Sequence, residues 1–282
     1  MTAPAEQQDR AAFARQWAEW HARKDEALAG PHGFLAITSL NWLDETPTRF
    51  PDAPGAWSST DEGVVVELAD GEELAYEGET LRGRHNFGVP AERASLFPLA
   101  GDAAIEVARR GGYDILRPRH PENALRVSFT CTPAYEPDPR WAVPGRFTRF
   151  DAPRPTPVGA VVAGLEHVYD AVGQVEFALD GATYRLTAFD GHAPGTLQVL
   201  FTDATSGVTT YAANRSLTID APDAEGRVVL DFNRATNLPC AYTDLATCPL
   251  PPAENRLPVP VEAGERIPAE AQGHAPKSVP AA

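Results

Sequence analysis

Val175–Ala188 reads VEFALDGATYRLTA. Val175, Phe177 and Leu179 alternate with other residues on one side of Asp180-Gly181, and Tyr184, Leu186 and Ala188 alternate on the other. An apolar residue at every second position is the period of a strand with one buried face. Asp-Gly between two such runs is a hairpin signal, because both residues tolerate positive φ.

The same style recurs outward from this stretch. Val64–Leu68 and Leu74–Tyr76 flank Asp70-Gly71, and Ala104–Ala108 and Tyr113–Leu116 flank Gly111-Gly112. Each pair is expected to form a hairpin. Leu125, Val127 and Phe129 also alternate, and Leu197–Phe201, Val208–Tyr211, Ser216–Ile219 and Val228–Phe232 are expected strands. No βαβ pattern is present. The spacing predicts a mainly β fold, with two antiparallel β units of sandwich or barrel type.

Gln7–Leu28 precedes them and reads as an amphipathic helix. Phe13, Trp17, Trp20 and Leu28 fall near one face, and Gly30-Pro31 supplies the stop. This N-terminal helix is expected to pack on the outside of the β units. His32–Leu43 is apolar and fits either a strand or a helix, whereas Asp44–Ser59 carries three prolines and reads as a loop. The proline-rich stretch Pro133–Pro157 is the expected bridge between units. The chain thus divides into a helix (1–30), a first β unit (31–135), a second β unit with a long C-terminal loop (136–265), and an Ala/Pro-rich tail (266–282) expected to be disordered.

Composition narrows the function. The 282 residues carry a formal net charge of −15. Nucleic acid is disfavoured as a partner, because phosphate binding needs a basic footprint. An anionic membrane surface would repel the chain for the same reason. No apolar run approaches the ~20 residues that span a bilayer, and no secretory leader is evident at the N-terminus, so a cytoplasmic location is expected. Three cysteines, Cys131, Cys240 and Cys248, argue against a disulfide framework. Arginine outnumbers lysine 22 to 2, and the lysines are Lys24 and Lys277. The bias is what GC-rich coding produces, so each arginine is weaker evidence for anion recognition.

Nucleotide-binding glycine loops, the zinc-protease helix motif and the serine-hydrolase elbow are all absent. The histidines are scattered, and the gap between Cys240 and Cys248 does not fit a zinc knuckle. No metal or cofactor is expected. Those two thiols remain open between simple burial, reactivity and bonding. A basic run at Arg109, Arg110, Arg117, Arg119 and His120 reads as a solvated strand face.

The segment that stands apart is VVLDFNRATNLPCAYTDLATCPLPPAENRLPVPVEAGE, Val228–Glu265. It opens as a strand and becomes a long irregular segment rich in Asn, Arg and Pro. A structured loop of this length commonly serves function. It resembles the C-terminal signature of the DUF1684 family. Asp203–Gly207 through Tyr211 and Arg215 resembles the strand segment that precedes that signature, and His32–Phe34 to Trp42–Leu43 resembles the family's opening. The likeness spans roughly residues 32 to 265. It implies no particular activity; it does imply that the first β unit is similar to a forkhead-associated sandwich. The chain departs from the pattern at Thr236, where relatives often carry an aromatic, at Leu238, where they often carry proline, and at Gly112, where they often carry an acid. If that aromatic closes a pocket, Thr236 leaves it wider.

The expected site is a ligand pocket at the 231–265 loop, formed by Arg215, Asp231, Asn233, Arg234, Asn237, Cys240, Tyr242, Asn255 and Arg256. Guanidinium forks and asparagine amides there suit a small anionic ligand. The same residues would also serve to wire an irregular loop internally. Three functions follow: a small-molecule binding protein, a hydrolase or transferase using the same pocket, or a non-catalytic structural or interaction module. Catalytic residues and oligomeric state are not legible.

Overall fold

A computed structural model describes residues 4–269 and 277–279. The protein is mostly β, with antiparallel sheets forming a half-barrel and one N-terminal helix, Pro4–Leu28. Among the described residues no helix is long and apolar enough to cross a membrane.

Two sheets are built within residues 41–119. In one, Ala103–Arg110 and Tyr113–Arg119 form the hairpin at Gly111-Gly112, with Arg110 opposite Tyr113. Asn41–Trp42 extends it on one side; the short strands Ser95–Leu96, Leu99–Ala100, Leu74–Tyr76 and Glu79–Leu81 complete the other. The second sheet runs Thr48–Arg49, Ala56–Thr60, Gly63–Glu67, Arg84–Asn86. Trp57, Val64, Val66, Leu74, Ile105, Val107 and Leu116 from both sheets form one buried cluster. The alternation seen in the sequence is this buried face.

Residues 142–231 make a six-stranded antiparallel sheet. Its order is Arg215–Ile219, Leu197–Phe201, Ala182–Asp190, Glu166–Leu179, Ala142–Gly159, Arg227–Asp231. The Asp180-Gly181 turn joins Leu179 to Ala182 as expected. Val175, Phe177, Leu186, Leu217 and Phe232 line its inner face, and Leu257, Val261 and Ala263 of the signature segment pack on that face. The signature therefore covers the half-barrel.

Several expectations fail for identifiable reasons. Pro133–Pro157 is not a linker throughout: from Ala142 it is the longest strand. Arg227–Asp231 pairs only with Ala142–Arg146, so the far half of that strand has one free edge. Pro155 and Pro157 lie two residues apart, which puts both missing N–H groups on the same edge, where no partner needs them. A register shift between Arg149 and Arg154 absorbs Pro153.

The Asp70-Gly71 turn forms no hairpin. Leu68 N–H goes to Gly83 O, and the Glu72 carboxylate instead accepts from Ala69 N–H at 2.8 Å and Gly55 N–H at 3.1 Å. The flanking strands enter different sheets, and Leu74–Tyr76 turns back through Glu77-Gly78, both at positive φ. Ala124–Ser128 is one helical turn rather than a strand, with Val127 N–H bonded to Asn123 O. Five residues are too few for the period to decide. Val208–Tyr211 is a set of turns, because Asp203 Oδ1 accepts from Thr205 N–H at 2.9 Å and closes the chain locally. In the tail, Arg266 and Ile267 donate backbone bonds to Pro133 O and Thr209 O, and Lys277–Ser278 pairs in parallel with Val162–Ala163, so these parts are ordered against the body; residues 270–276 and 280–282 lie outside those described.

Candidate functional site

The irregular signature segment is held by its own side chains. It leaves the last strand through the 3-10 turn Phe232–Arg234, which Asp231 opens by accepting from Asn233 N–H at 3.2 Å. The Asn233 amide bridges to the segment that leads into the neighbouring strand, accepting from Asp138 N–H and donating to Asp138 O, each at 2.9 Å. Asn255 is fully buried and stitches two strands: Oδ1 takes Thr187 N–H at 2.7 Å, while Nδ2 donates to Thr187 O at 2.9 Å and Leu200 O at 2.8 Å. Arg215 is also buried; it donates to Asp203 Oδ2 at 2.7 Å, to Val261 O at 3.0 Å and to Ala263 O. Each is a buried polar group whose partners are backbone groups and, for Arg215 and Asn233, an aspartate carboxylate as well.

The N-terminal helix enters this wiring. Trp17 Nε1 donates to Asn233 O at 2.6 Å. One turn further, His21, Lys24 and Asp25 face Glu265 and Tyr242, both buried. Lys24 Nζ lies 2.6 Å from Glu265 Oε1 and donates to Tyr242 Oη at 2.9 Å. His21 Nε2 is 3.2 Å from the same carboxylate oxygen. Glu265 Oε2 accepts from Asn237 N–H at 2.6 Å. Asp25 takes the N–H and hydroxyl of Thr132 at 2.8 and 2.7 Å. Burial, then the Glu265 charge, pushes the Tyr242 phenol far up, so it remains a neutral donor at all working pH. These seven side chains, Thr132 included, clasp the helix to the body of the protein at the signature.

Residues 127–266, which hold the wiring and the covered sheet, match a family model described as protein of unknown function (DUF1684). Over that span the chain is a member of the DUF1684 family. The solution NMR structure of an uncharacterized protein from Haloarcula marismortui is similar at 33% sequence identity, covering 50% of this chain and 78% of that one, with a TM-score of 0.42. No curated protein matches.

Within the DUF1684 signature the sequence-expected residues do not converge on one opening. Arg215, Asn233 and Asn255 are committed to backbone and carboxylate partners. Cys240 and Tyr242 are buried, as is Asn237, whose Nδ2 donates to Arg266 O at 2.8 Å. Arg256 is exposed on the rim. Arg234 is half-exposed, 3.4 Å from Asp231 and 5.4 Å above the Trp20 ring. Thr236 exchanges backbone bonds with Ser216, each at 2.8 Å.

One open groove does reach the signature. It has a volume of about 470 Å³ and is lined by Arg140, Trp141, Leu179, Asp180, Pro260 and Glu262, among others. Trp141 is buried, yet its Nε1–H has no partner. The Arg140 guanidinium lies 5.1 Å above the Trp141 ring and 3.3 Å from Asp138. A buried donor left unpaired costs about 1–3 kcal/mol.

Sequence reasoning missed two features. Arg140 and Trp141 fall in the stretch read as a linker; the signal available was a Trp directly beside an Arg just before an alternating run. His21, Asp25 and Glu265 each bring one ligand atom within 4.8 Å of the others, in the manner of a metal set. The ammonium of Lys24 sits among them and supplies the positive charge a metal would bring. The i, i+4 spacing of His21 and Asp25 was visible; Glu265, some 240 residues away, was not.

Proposed function

We propose that the protein binds a small polar molecule in the groove beside Arg140 and Trp141. The observation that carries this reading is a groove within the usual volume range of small-molecule sites, walled by the Arg140 guanidinium and by Trp141, whose buried Nε1–H has no partner. Chemistry narrows the ligand. Trp141 Nε1 and the Arg140 guanidinium favour an acceptor, best a carboxylate. Asp180 and Glu262 line the same groove and favour hydroxyl or amino donors. A compound with a carboxylate at one end and donors at the other, in the class of amino acids and hydroxy acids, satisfies both. The anionic head expected from the sequence is kept, but its partner becomes Arg140 rather than Arg234.

The test is a thermal-shift screen of amino acids, hydroxy acids and sugar acids. It uses wild type, Trp141→Phe, which keeps a ring and removes the donor, and Glu262→Gln. The reading expects at least one compound to raise the melting temperature of wild type and to lose that effect in Trp141→Phe. If no compound stabilises wild type, or both proteins respond equally, the groove is not a site for this class.

A further inference from the structure

Cys240 and Cys248 are free and buried, whereas Cys131 is exposed. Cys240 belongs to the 3-10 turn Pro239–Ala241. Cys248 lies in the extended stretch beyond it, and its carbonyl takes Val161 N–H at 3.0 Å. The two pack in one small cluster with Ala246, against Val161, Tyr211 and Leu238. Structural thiols in apolar clusters are ordinarily single and inert. Here two meet, and neither belongs to the one set of described residues able to hold a metal, His21, Asp25 and Glu265.

The backbone on either side of Cys248 is fixed by buried side chains. His167 Nε2 bonds to Thr247 O at 2.8 Å, and Asn214 Nδ2 donates to Pro249 O at 2.5 Å. Each keeps one unpartnered buried atom, His167 Nδ1 and Asn214 Oδ1. Cys248 is therefore held in place, with spare polar capacity in the side chains that pin its neighbours, while Cys240 sits in a single turn.

We propose that Cys240 and Cys248 form a redox dithiol that closes to an intramolecular disulfide when a small hydroperoxide reaches Cys248. The pair is polarised for this. The neighbouring Cys240 thiol lowers the Cys248 thiol against the opposing effect of burial, and the Arg117 and Arg110 charges add to the lowering. The same contact, with burial, raises Cys240. Cys248 is the attacking thiolate and Cys240 the resolving thiol. In the first step Cys248 sulfur bonds to the terminal peroxide oxygen, the O–O bond breaks, and the alkoxide leaves as an alcohol with a proton from solvent. Cys248 is then a sulfenic acid. In the second step Cys240 sulfur attacks Cys248 sulfur, the S–O bond breaks, and hydroxide leaves as water with the Cys240 proton. Two electrons pass from the thiols to the hydroperoxide. The inference does not depend on the ligand groove.

The experiment treats the native full-length protein with hydrogen peroxide or cumene hydroperoxide, then denatures it, alkylates free thiols and maps peptides by mass spectrometry. The expected result is loss of both Cys240 and Cys248 as alkylatable thiols, linked to each other and restored by dithiothreitol, with Cys131 accounted for separately. In Cys240→Ser, dimedone should trap sulfenic acid at Cys248; in Cys248→Ser, Cys240 should stay reduced. The wild-type map stands alone if either variant fails to fold. The proposal is overturned if both thiols remain alkylatable while Cys131 is oxidised, or if Cys248 goes to sulfinic acid without a disulfide.

Discussion

Lys24 Nζ lies 2.6 Å from Oε1 of Glu265, whose side chain is 1% exposed. One of the two lysines in an arginine-dominated chain thus neutralises the innermost carboxylate of the signature. Removing one partner of such a pair strands the other charge, which typically costs about 3–5 kcal/mol. Lys24→Met should lose roughly 3 kcal/mol in urea unfolding, the low end of that range because Lys24 keeps some solvent contact. Adding Glu265→Gln should recover much of it. A Lys24→Met protein as stable as wild type would show that water or His21 already compensates Glu265.

Asn255 and Arg256 are neighbours with opposite roles. Asn255→Ala removes three bonds to Thr187 and Leu200 and leaves buried backbone groups unpaired, at a cost of about 2 kcal/mol or more. Arg256→Ala, on the exposed side, should change stability by less than about 0.5 kcal/mol. Chemical denaturation of the two variants side by side checks the contrast; equal losses would mean that Arg256 has a partner in solution.

Arg234→Lys separates wiring from ligand contact at the strand end. Its guanidinium is 43% exposed and only 3.4 Å at best from Asp231. Exposed pairs of this kind contribute about 0–1 kcal/mol, so the melting temperature should stay near wild type. Thermal shifts by phosphate or citrate should be the same in both proteins. A response to anions that disappears in Arg234→Lys would move the site from Arg140 back to Arg234.

Glu106 sets an acid limit for the first β unit. It is buried and accepts from Arg117 at 2.9 and 2.6 Å and from Arg119 at 3.1 and 2.5 Å. Burial alone would raise its carboxyl, but the two guanidiniums outweigh it and hold the value at about 2, below the ordinary 4.5. The unfolded chain therefore takes up this proton first on acidification. The stabilisation is complete above pH 4.5 and is lost as pH falls toward 2. Fluorescence of buried Trp57 should report loss of this unit within that window. Glu106→Gln, though weaker at neutral pH, should show a shallower dependence there; an unchanged slope would assign acid unfolding to other carboxylates.

Period-two alternation around Asp180-Gly181 and Gly111-Gly112 determined by itself that the protein is antiparallel β, because strand burial and turn conformation are local properties of a few residues. The family was legible for the same reason: the signature is one continuous stretch. Gln7–Leu28 was legible as a helix, but not as a supplier of Trp17, His21, Lys24 and Asp25 to a buried carboxylate. Only the tertiary structure decided which strands share a sheet, that Pro155 and Pro157 sit on a free edge, and that Asn255 and Arg215 spend their hydrogen bonds inward. These depend on pairing energies between residues tens to hundreds of positions apart, and nothing in a residue's neighbours along the chain encodes its partner across the core. The groove at Arg140 and Trp141 has the same origin. It exists because Pro260 and Glu262 return to the end of a hairpin that closed 80 residues earlier.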